Sequence, residues 1–112
     1  MGLDNTMSLH KKSMDVFANW DIEVFKNLFH EDFFLVRETQ LLTLDEHIEN
    51  IAKLVETTDW LETAKKHLLI HENEYVYETR WEDGDDIVTN VILKKENDKI
   101  WRSIVNRMPK NP

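Results

Sequence analysis

Residues 28–38, LFHEDFFLVRE, concentrate the residue types that bind metals or transfer protons. His30, Glu31 and Asp32 are consecutive in this stretch. Three consecutive side chains cannot point at one centre, because a strand alternates them between two faces and a helix separates neighbours by roughly 100°. A helix end is therefore favoured over a metal site, with His30 near the helix C-terminus and Asp32 accepting local backbone hydrogen bonds.

Arg37 and Glu38 end the same stretch, where a strand would reach the edge of a pocket. An inward-facing Arg37 could bind an anionic ligand, because a guanidinium forks well onto a carboxylate. Glu38 places a carboxylate directly beside Arg37. The alternative for both residues is an ion pair, either exposed at the strand end or internal.

His67 and His71 have the four-residue spacing that, on a helix, can hold a metal ion. The segment around them is predicted to be a strand instead, in which four residues span roughly 13 Å. The two imidazoles would share a face without sharing a metal, and a loop at Asn73-Glu74 would place His71 opposite Val76 on the outer face. No metal site is predicted.

The composition excludes several classes of site. The chain has 112 residues, which predicts one domain over residues 1–112. It lacks cysteine, so disulfides, thiolate chemistry and cysteine-based zinc sites are excluded, and a cytoplasmic location is expected. The net charge of −8 argues against nucleic acid and anionic membrane partners, which need clustered Lys and Arg. No cofactor and no membrane-spanning segment are predicted.

Apolar spacing and capping signals place these residues on helices and strands. One helix is predicted over residues 7–19, a second from the capping residue Asp21 to near His30, and a third from the capping box of Thr43 and Glu46. Strands are predicted at 32–38, 64–72, 74–82, 86–96 and 99–107. This order predicts an α+β fold in which three helices from the N-terminal half pack on a curved antiparallel sheet.

Two hairpin loops determine which strand residues face the helices. With two-residue loops at Asp83-Gly84 and Asn97-Asp98, Tyr77 opposes Asn90, which in turn opposes Val105. The inner face then holds an uncharged, largely aromatic set: Tyr75, Tyr77, Thr79, Trp81, Val88, Asn90, Ile92, Trp101, Ser103 and Val105. The outer face mixes charged residues with more apolar residues than a solvated sheet needs, which predicts a homodimer interface.

The polar members of the inner face are candidate ligand contacts. Directed donors and acceptors on an apolar wall are what a small-molecule pocket needs. The predicted ligand-binding residues are Arg37, Tyr75, Tyr77, Asn90, Trp101 and Ser103. The alternative is a filled core in which the polar groups satisfy one another and the space is plugged by Trp60, Trp81 and Trp101.

Three stretches resemble the NTF2-like superfamily, specifically its SnoaL-like and ketosteroid-isomerase-like members, which form a cystatin-like α+β cone. They are LFHEDFFLVRE at 28–38, LTLDEHIENI at 42–51 and IVTNVILKKENDKIWRSIVNRMP at 87–109. The resemblance covers nearly the whole chain. It implies a conical half-barrel around a pocket and a homodimer built on the outer face of the sheet. It does not choose among the activities that the fold supports.

The resemblance carries over to the site only in part. Ketosteroid-isomerase-like members have a carboxylate base near the end of the first strand, where this chain has Arg37 followed by Glu38. Their oxyanion-binding tyrosine comes from the helical region, whereas Tyr75 and Tyr77 lie on a predicted strand. The buried histidine of dehydratase-like members has His67 as its nearest counterpart, together with His71.

We therefore expect a pocket that binds a small, mostly apolar molecule. Isomerase- or lyase-type acid–base activity would use Glu38 or a histidine as the base and Tyr77 as the hydrogen-bond donor. The alternative function is a non-catalytic dimerisation or protein-interaction domain whose pocket is filled by side chains.

Overall fold

The computed structural model describes residues 8–111 and has the predicted α+β fold. Within these residues, helices pack on one six-stranded sheet. The elements in chain order are α1 (Leu9–Ala18), α2 (Ile22–Lys26), β1 (Phe29–Arg37), β2 (Gln40–Thr43), α3 (Leu44–Thr57), α4 (Trp60–Ala64), β3 (Leu68–Glu72), β4 (Val76–Asp83), β5 (Asp86–Lys94) and β6 (Ile100–Pro109). A 3₁₀ turn, Glu96–Asp98, joins β5 to β6. Residue 7 of the predicted first helix lies outside the described part.

The two helices with capping signals, α2 and α3, begin where the sequence predicted. The Asp21 carboxylate accepts a hydrogen bond from the Glu23 backbone N–H and caps α2. Thr43 and Glu46 form a complete capping box at the start of α3. The two capping predictions are therefore confirmed, because a side-chain acceptor satisfies a backbone N–H that the helix leaves unpaired.

The crowded stretch at 30–32 belongs to a strand rather than to a helix end. α2 already ends at Lys26 and β1 begins at Phe29, so the prediction that the helix extends to His30 is wrong. Locally, the Asp32 backbone N–H donates to His30 Nδ1 at 3.0 Å. Within residues 8–111 no group of three His, Asp or Glu side chains could hold a metal ion.

The sheet is mixed, which corrects the prediction of a wholly antiparallel sheet. Its strand order is β2-β1-β6-β5-β4-β3, and β1 runs parallel to β6. The chain makes the β1–β2 hairpin, crosses through α3 and α4 to the far edge, and returns as a four-stranded meander. The last strand of that meander therefore reaches β1 running in the same direction. Two short elements, β2 and α4, were not predicted from the sequence.

The β4–β5 hairpin has a different loop from the predicted one, yet the faces are as expected. Asp83 pairs with Asp86, so the loop is Gly84-Asp85, and Gly84 adopts the left-handed conformation at φ +61°. Tyr77 consequently pairs with Ile92 rather than with Asn90. The register differs by two residues, and side chains alternate with a period of two, so the same residues still face inward.

A bulge in the β5–β6 hairpin reverses one predicted position. The pairs Asn90–Val105 and Ile92–Ser103 are confirmed, but the register shifts where Lys94 pairs with Ile100. Ile100 is buried and lines the interior, whereas Trp101 is only partly buried. The prediction that Trp101 faces inward is wrong, because Trp101 is the extra residue of a bulge in β6, between Ile100 paired with Lys94 and Arg102 paired with Leu93.

Residues around the two strand histidines also depart from the prediction. Residues 60–64 form α4, so His67 lies in the link before β3, and it lines the interior. His71 stays exposed on β3, opposite Glu78 rather than Val76, because the turn lies at Glu74-Tyr75, one residue later than predicted. The prediction that both histidines share the outer face is therefore wrong for His67.

The core lies between the helices and β1. A chain of aromatic contacts runs from Trp60 through Phe17 and Phe25 to Phe29 and Phe33, with ring centroids 4.7–6.3 Å apart. Such large side chains provide much of the apolar burial of a chain this size. No helix within residues 8–111 is both long and apolar enough to cross a bilayer.

Candidate functional site

A cavity of about 510 Å³ lies between the helices and the inner face of the sheet. Its walls are mainly aromatic and aliphatic, with Phe17 and Phe25 from the helices and Val88 and Ile92 from the sheet. Trp60 and Trp81 belong to the walls and leave the volume open. This volume is within the range of pockets that enclose small organic molecules.

Strand pairing places the polar side chains of the cavity in two neighbouring rows. One row runs across the sheet from Ser103 through Ile92 to Tyr77. The next row contains Arg37 and Asn90, with Val105 between them. Side chains in one row lie on the same face, so Tyr77, Asn90, Ser103 and Arg37 all reach the cavity.

Tyr77 is held by the first turn of α1. Its Oη lies 2.8 Å from His10 Nδ1, and the tyrosine is buried. Burial raises the pKa of the Tyr77 hydroxyl far above its ordinary value, although the nearby Ser13 hydroxyl lowers it. The pKa of His10 is lowered by burial, an effect that the charge of Glu72 partly opposes. Tyr77 is thus a neutral hydrogen-bonding group at the cavity wall.

A short hydrogen bond fixes the orientation of Asn90. Ser103 Oγ lies 2.5 Å from Asn90 Oδ1, a distance typical of an O–H donor and shorter than ordinary N–H···O bonds. The Ser103 hydroxyl therefore donates to the amide oxygen. The Asn90 Nδ2 group has no acceptor in the described part of the chain, and no buried polar side-chain atom there is left unpaired. Its two N–H groups consequently open onto the cavity.

Arg37 and Glu38 lie at the mouth of the cavity, at the β1–β2 turn. Arg37 is half-buried, and its Nη2 donates to Gln40 Oε1 at 3.0 Å. Glu38 is exposed and adopts a left-handed conformation at φ +55° in this two-residue turn. Such a conformation costs a non-glycine residue roughly 1 kcal/mol, and strain of this kind is often found beside binding sites.

Two uncharged imidazoles, His47 and His67, line the same cavity, and His47 was not a predicted site residue. Burial, and secondly the charge of Arg37, lowers the pKa of His47 to about 4. Burial, and secondly His10, lowers the pKa of His67 to about 4. The ring of His67 stacks on Trp81 with centroids 4.0 Å apart. The helical position of His47, one residue after its capping box, was the available sequence signal.

The predicted site residues divide between the cavity and the surface. The cavity brings together Arg37, Glu38, Tyr77, Asn90 and Ser103. Tyr75 and Trp101 do not line it: Tyr75 is 67% exposed in the turn before β4, and Trp101 packs under the Arg102 guanidinium, 3.9 Å from its ring centroid. Three histidines also lie at the cavity or next to Tyr77. Of these, His10 and His47 were not candidate site residues, and His67 was predicted to lie on a strand.

The fold is similar to solved structures at low sequence identity, while no family model and no curated protein matches the chain. An NTF-2 like protein of unknown function from Shewanella oneidensis is 14% identical at a TM-score of 0.57, with coverage of 88% of this chain and 93% of that one. A SnoaL-like protein of unknown function from Burkholderia thailandensis is 6% identical at a TM-score of 0.61, with coverage of 88% and 91%.

A steroid delta-isomerase from Pseudomonas aeruginosa is 12% identical at a TM-score of 0.63, with coverage of 98% of this chain and 85% of that one. At such identities the likeness concerns the fold alone, since one fold hosts many functions. The resemblance predicted from the sequence is confirmed at that level. The chain has the NTF2-like, cystatin-like fold.

Proposed function

We propose that the cavity binds a small, mostly apolar molecule. The observation that carries the proposal is the open volume of about 510 Å³, which the aromatic walls surround without filling. Transfer of an apolar molecule from water into such a cavity is favourable, and the few polar groups on the wall set the orientation of the molecule. The open volume favours ligand binding over an interaction domain with a filled pocket.

Tyr77→Phe tests the proposal against a matched control in the same part of the chain. Removing the Tyr77 hydroxyl, which lies 2.8 Å from His10 Nδ1, deletes a polar contact of the cavity. We expect the affinity for a neutral probe, 2-naphthylmethanol, to fall roughly 3- to 10-fold in calorimetric titration, as for one neutral hydrogen bond. Tyr75→Phe, at a 67% exposed position outside the cavity, should bind like the wild type.

Saturable binding of 2-naphthylmethanol that depends on Tyr77 supports the proposed function. Failure of the wild type to bind either 2-naphthylmethanol or its acid counterpart, 2-naphthoate, at millimolar concentration contradicts it. Equal losses in Tyr77→Phe and Tyr75→Phe would contradict a role for Tyr77 in the cavity.

A second candidate function is isomerase- or lyase-type acid–base chemistry on the bound molecule. The observation that favours it is the pair of unprotonated imidazoles, His47 and His67, on the cavity wall. A neutral imidazole can accept a proton, and Tyr77 can donate a hydrogen bond to a developing charge. Glu38, predicted as the base, stands at the mouth of the cavity beside Arg37.

We also propose that the protein is a cytoplasmic homodimer assembled through the outer sheet face. An apolar row crosses four strands there, from Leu41 through Val36 and Ile104 to Val91. Leu41, Val36 and Ile104 are 62%, 38% and 48% exposed. A contiguous apolar surface of this kind favours association with a second copy.

Ile104→Lys is expected to weaken the homodimer by on the order of 100-fold in Kd. The substitution adds a desolvated charge to the row, and the symmetric interface brings it near its own copy. Sedimentation equilibrium measures the change. Leu69→Lys, at a 47% exposed apolar position on the edge strand β3, is the control and should remain dimeric. A monomeric wild type, or a dimer lost only in Leu69→Lys, would contradict the outer-face interface.

A further inference from the structure

Two cationic side chains line the cavity, and they differ in their partners. Arg107 is paired with two carboxylates, Asp83 at 2.7 Å and Asp86 at 3.0 Å. Arg37 has no carboxylate within 4.0 Å among residues 8–111 and donates only to the neutral Gln40. Arg37 is therefore a cation of the cavity wall that has no ion-pair partner among the described residues, the carboxylate of the adjacent Glu38 lying beyond 4.0 Å.

The surroundings of Arg37 suit an anion that enters from the mouth. The guanidinium has five N–H donors in a fixed fork, and the hydrogen bond to Gln40 uses one of them. A ligand carboxylate could accept two parallel hydrogen bonds from the remaining donors, and partial burial strengthens such a charge-assisted pair. The carboxylate of Asp83, which also lines the cavity, is already neutralised by Arg107.

Asn90 provides a second donor in the same row. Arg37 and Asn90 are two strands apart, roughly 10 Å between backbones, with the apolar Val105 between them. The Asn90 amide presents its N–H groups because Ser103 occupies its oxygen. The row therefore offers hydrogen-bond donors on both sides of Val105. His47 is the imidazole near this row, since the charge of Arg37 contributes to lowering its pKa.

From this arrangement we infer that the ligand is an apolar carboxylic acid, bound as the carboxylate with its acid group on Arg37 and its apolar body among the aromatic walls. The inference rests on the proposed ligand-binding function and names the chemical class of the ligand. The acid group then lies at the end of β1, where Arg37 is partly exposed, while the aromatic and aliphatic side chains of the cavity surround the apolar body. A guanidinium discriminates a carboxylate from an alcohol by charge and by its two parallel N–H donors.

Calorimetric titration of the intact chain with two probes of the same apolar body tests the inference. The probes are 2-naphthoate and 2-naphthylmethanol at pH 7.5. We expect the wild type to bind the acid 10- to 100-fold more tightly than the alcohol, the range for a charge-assisted hydrogen-bonded pair. Arg37→Met should abolish this preference and keep the alcohol affinity. Arg37→Lys, which keeps the charge without the fork, should give an intermediate preference.

The control is Arg80→Met, which makes the same chemical change at an exposed position of β4 and should keep the wild-type preference. Retained alcohol binding shows that an Arg37 variant still has a folded cavity. Equal affinities for acid and alcohol in the wild type would overturn the carboxylate class while leaving the proposed function standing. Binding of neither probe would overturn the proposed function itself. An acid preference that survives in Arg37→Met would remove Arg37 from the site.

Discussion

Lys94→Met is expected to lower the free energy of unfolding by about 3–5 kcal/mol, the range for breaking one side of a buried ion pair. The Lys94 side chain is 4% exposed, and its Nζ lies 2.8 Å from Glu72 Oε2, itself on a side chain that is 11% exposed. Glu72 also accepts hydrogen bonds from the backbone N–H groups of Leu9 and His10 at the start of α1. Losing Lys94 leaves a buried carboxylate without its cation.

The same contacts explain the charge state of Glu72. Burial by itself raises its pKa, but the hydrogen bonds from Lys94, Leu9 and His10 together outweigh burial and leave the pKa below its usual value. The carboxylate also joins β3 to the N-terminus of α1, where an anion is favoured by the helix dipole. Since His10 belongs to that first turn, Glu72 positions the partner of Tyr77.

Urea unfolding at pH 7 measures the effect of Lys94→Met. The double variant Glu72→Gln/Lys94→Met should be less destabilised than Lys94→Met alone, because it removes both charges. Glu82→Gln is the control: it breaks an exposed pair with Lys110, 3.5 Å apart, and should cost less than about 1 kcal/mol. A loss of less than about 1 kcal/mol in Lys94→Met would contradict the role of this pair. So would a loss in the double variant equal to the sum of the losses in Glu72→Gln and Lys94→Met.

Acidification from pH 6.5 to pH 5 is expected to remove about 3 kcal/mol of stability through His47 and His67 together. In the folded chain both have a pKa of about 4, and in the unfolded chain about 6.5. Between these values the unfolded chain binds one more proton at each imidazole. The stability contribution is therefore present above pH 6.5 and is lost as the pH falls, by up to about 1.4 kcal/mol per pH unit for each residue.

The variants His47→Phe and His67→Phe test this slope. Each keeps an aromatic ring among its neighbours, Phe29 and Phe33 for His47 and Trp81 for His67, while it removes the titrating group. Each should flatten the curve of unfolding free energy against pH by about half of the two-histidine contribution. Val88→Ala, at a position 1% exposed, should lower the whole curve without flattening it. Unchanged slopes in both histidine variants would contradict the prediction.

The fold class and most of the inward-facing residues could be predicted from the sequence, because both depend on local patterns. Capping by Asp21 and Thr43 acts within one helical turn. The alternation of side chains on β4 and β5 assigned Tyr77 and Asn90 to the inner face even though the loop at Gly84 was misplaced by one residue. A register error of two residues leaves every side chain on the same face of the sheet.

The positions that failed depend on geometry between elements. Trp101 does not face the interior because it is the extra residue of a bulge in β6, and the alternation of side chains gives no sign of such an extra residue. His67 lies at the cavity because residues 60–64 are helical and β3 begins only at Leu68, so that His67 belongs to the link between them and not to the strand. The parallel pairing of β1 with β6 follows from the path of the chain through two helices, not from the composition of either strand.

By itself, then, the sequence determined the α+β class, the starts of α2 and α3 and a face carrying Tyr77, Asn90 and Ser103, since periodicity and capping are properties of neighbouring residues. Only the tertiary structure decided which side chains meet there. It brought His10 to Tyr77 across 67 residues and Glu72 to Lys94 across 22, and it left Arg37 unpaired by any carboxylate of the described residues. Such encounters are decided by strand order and register, which arise from burial of the whole core rather than from any one segment.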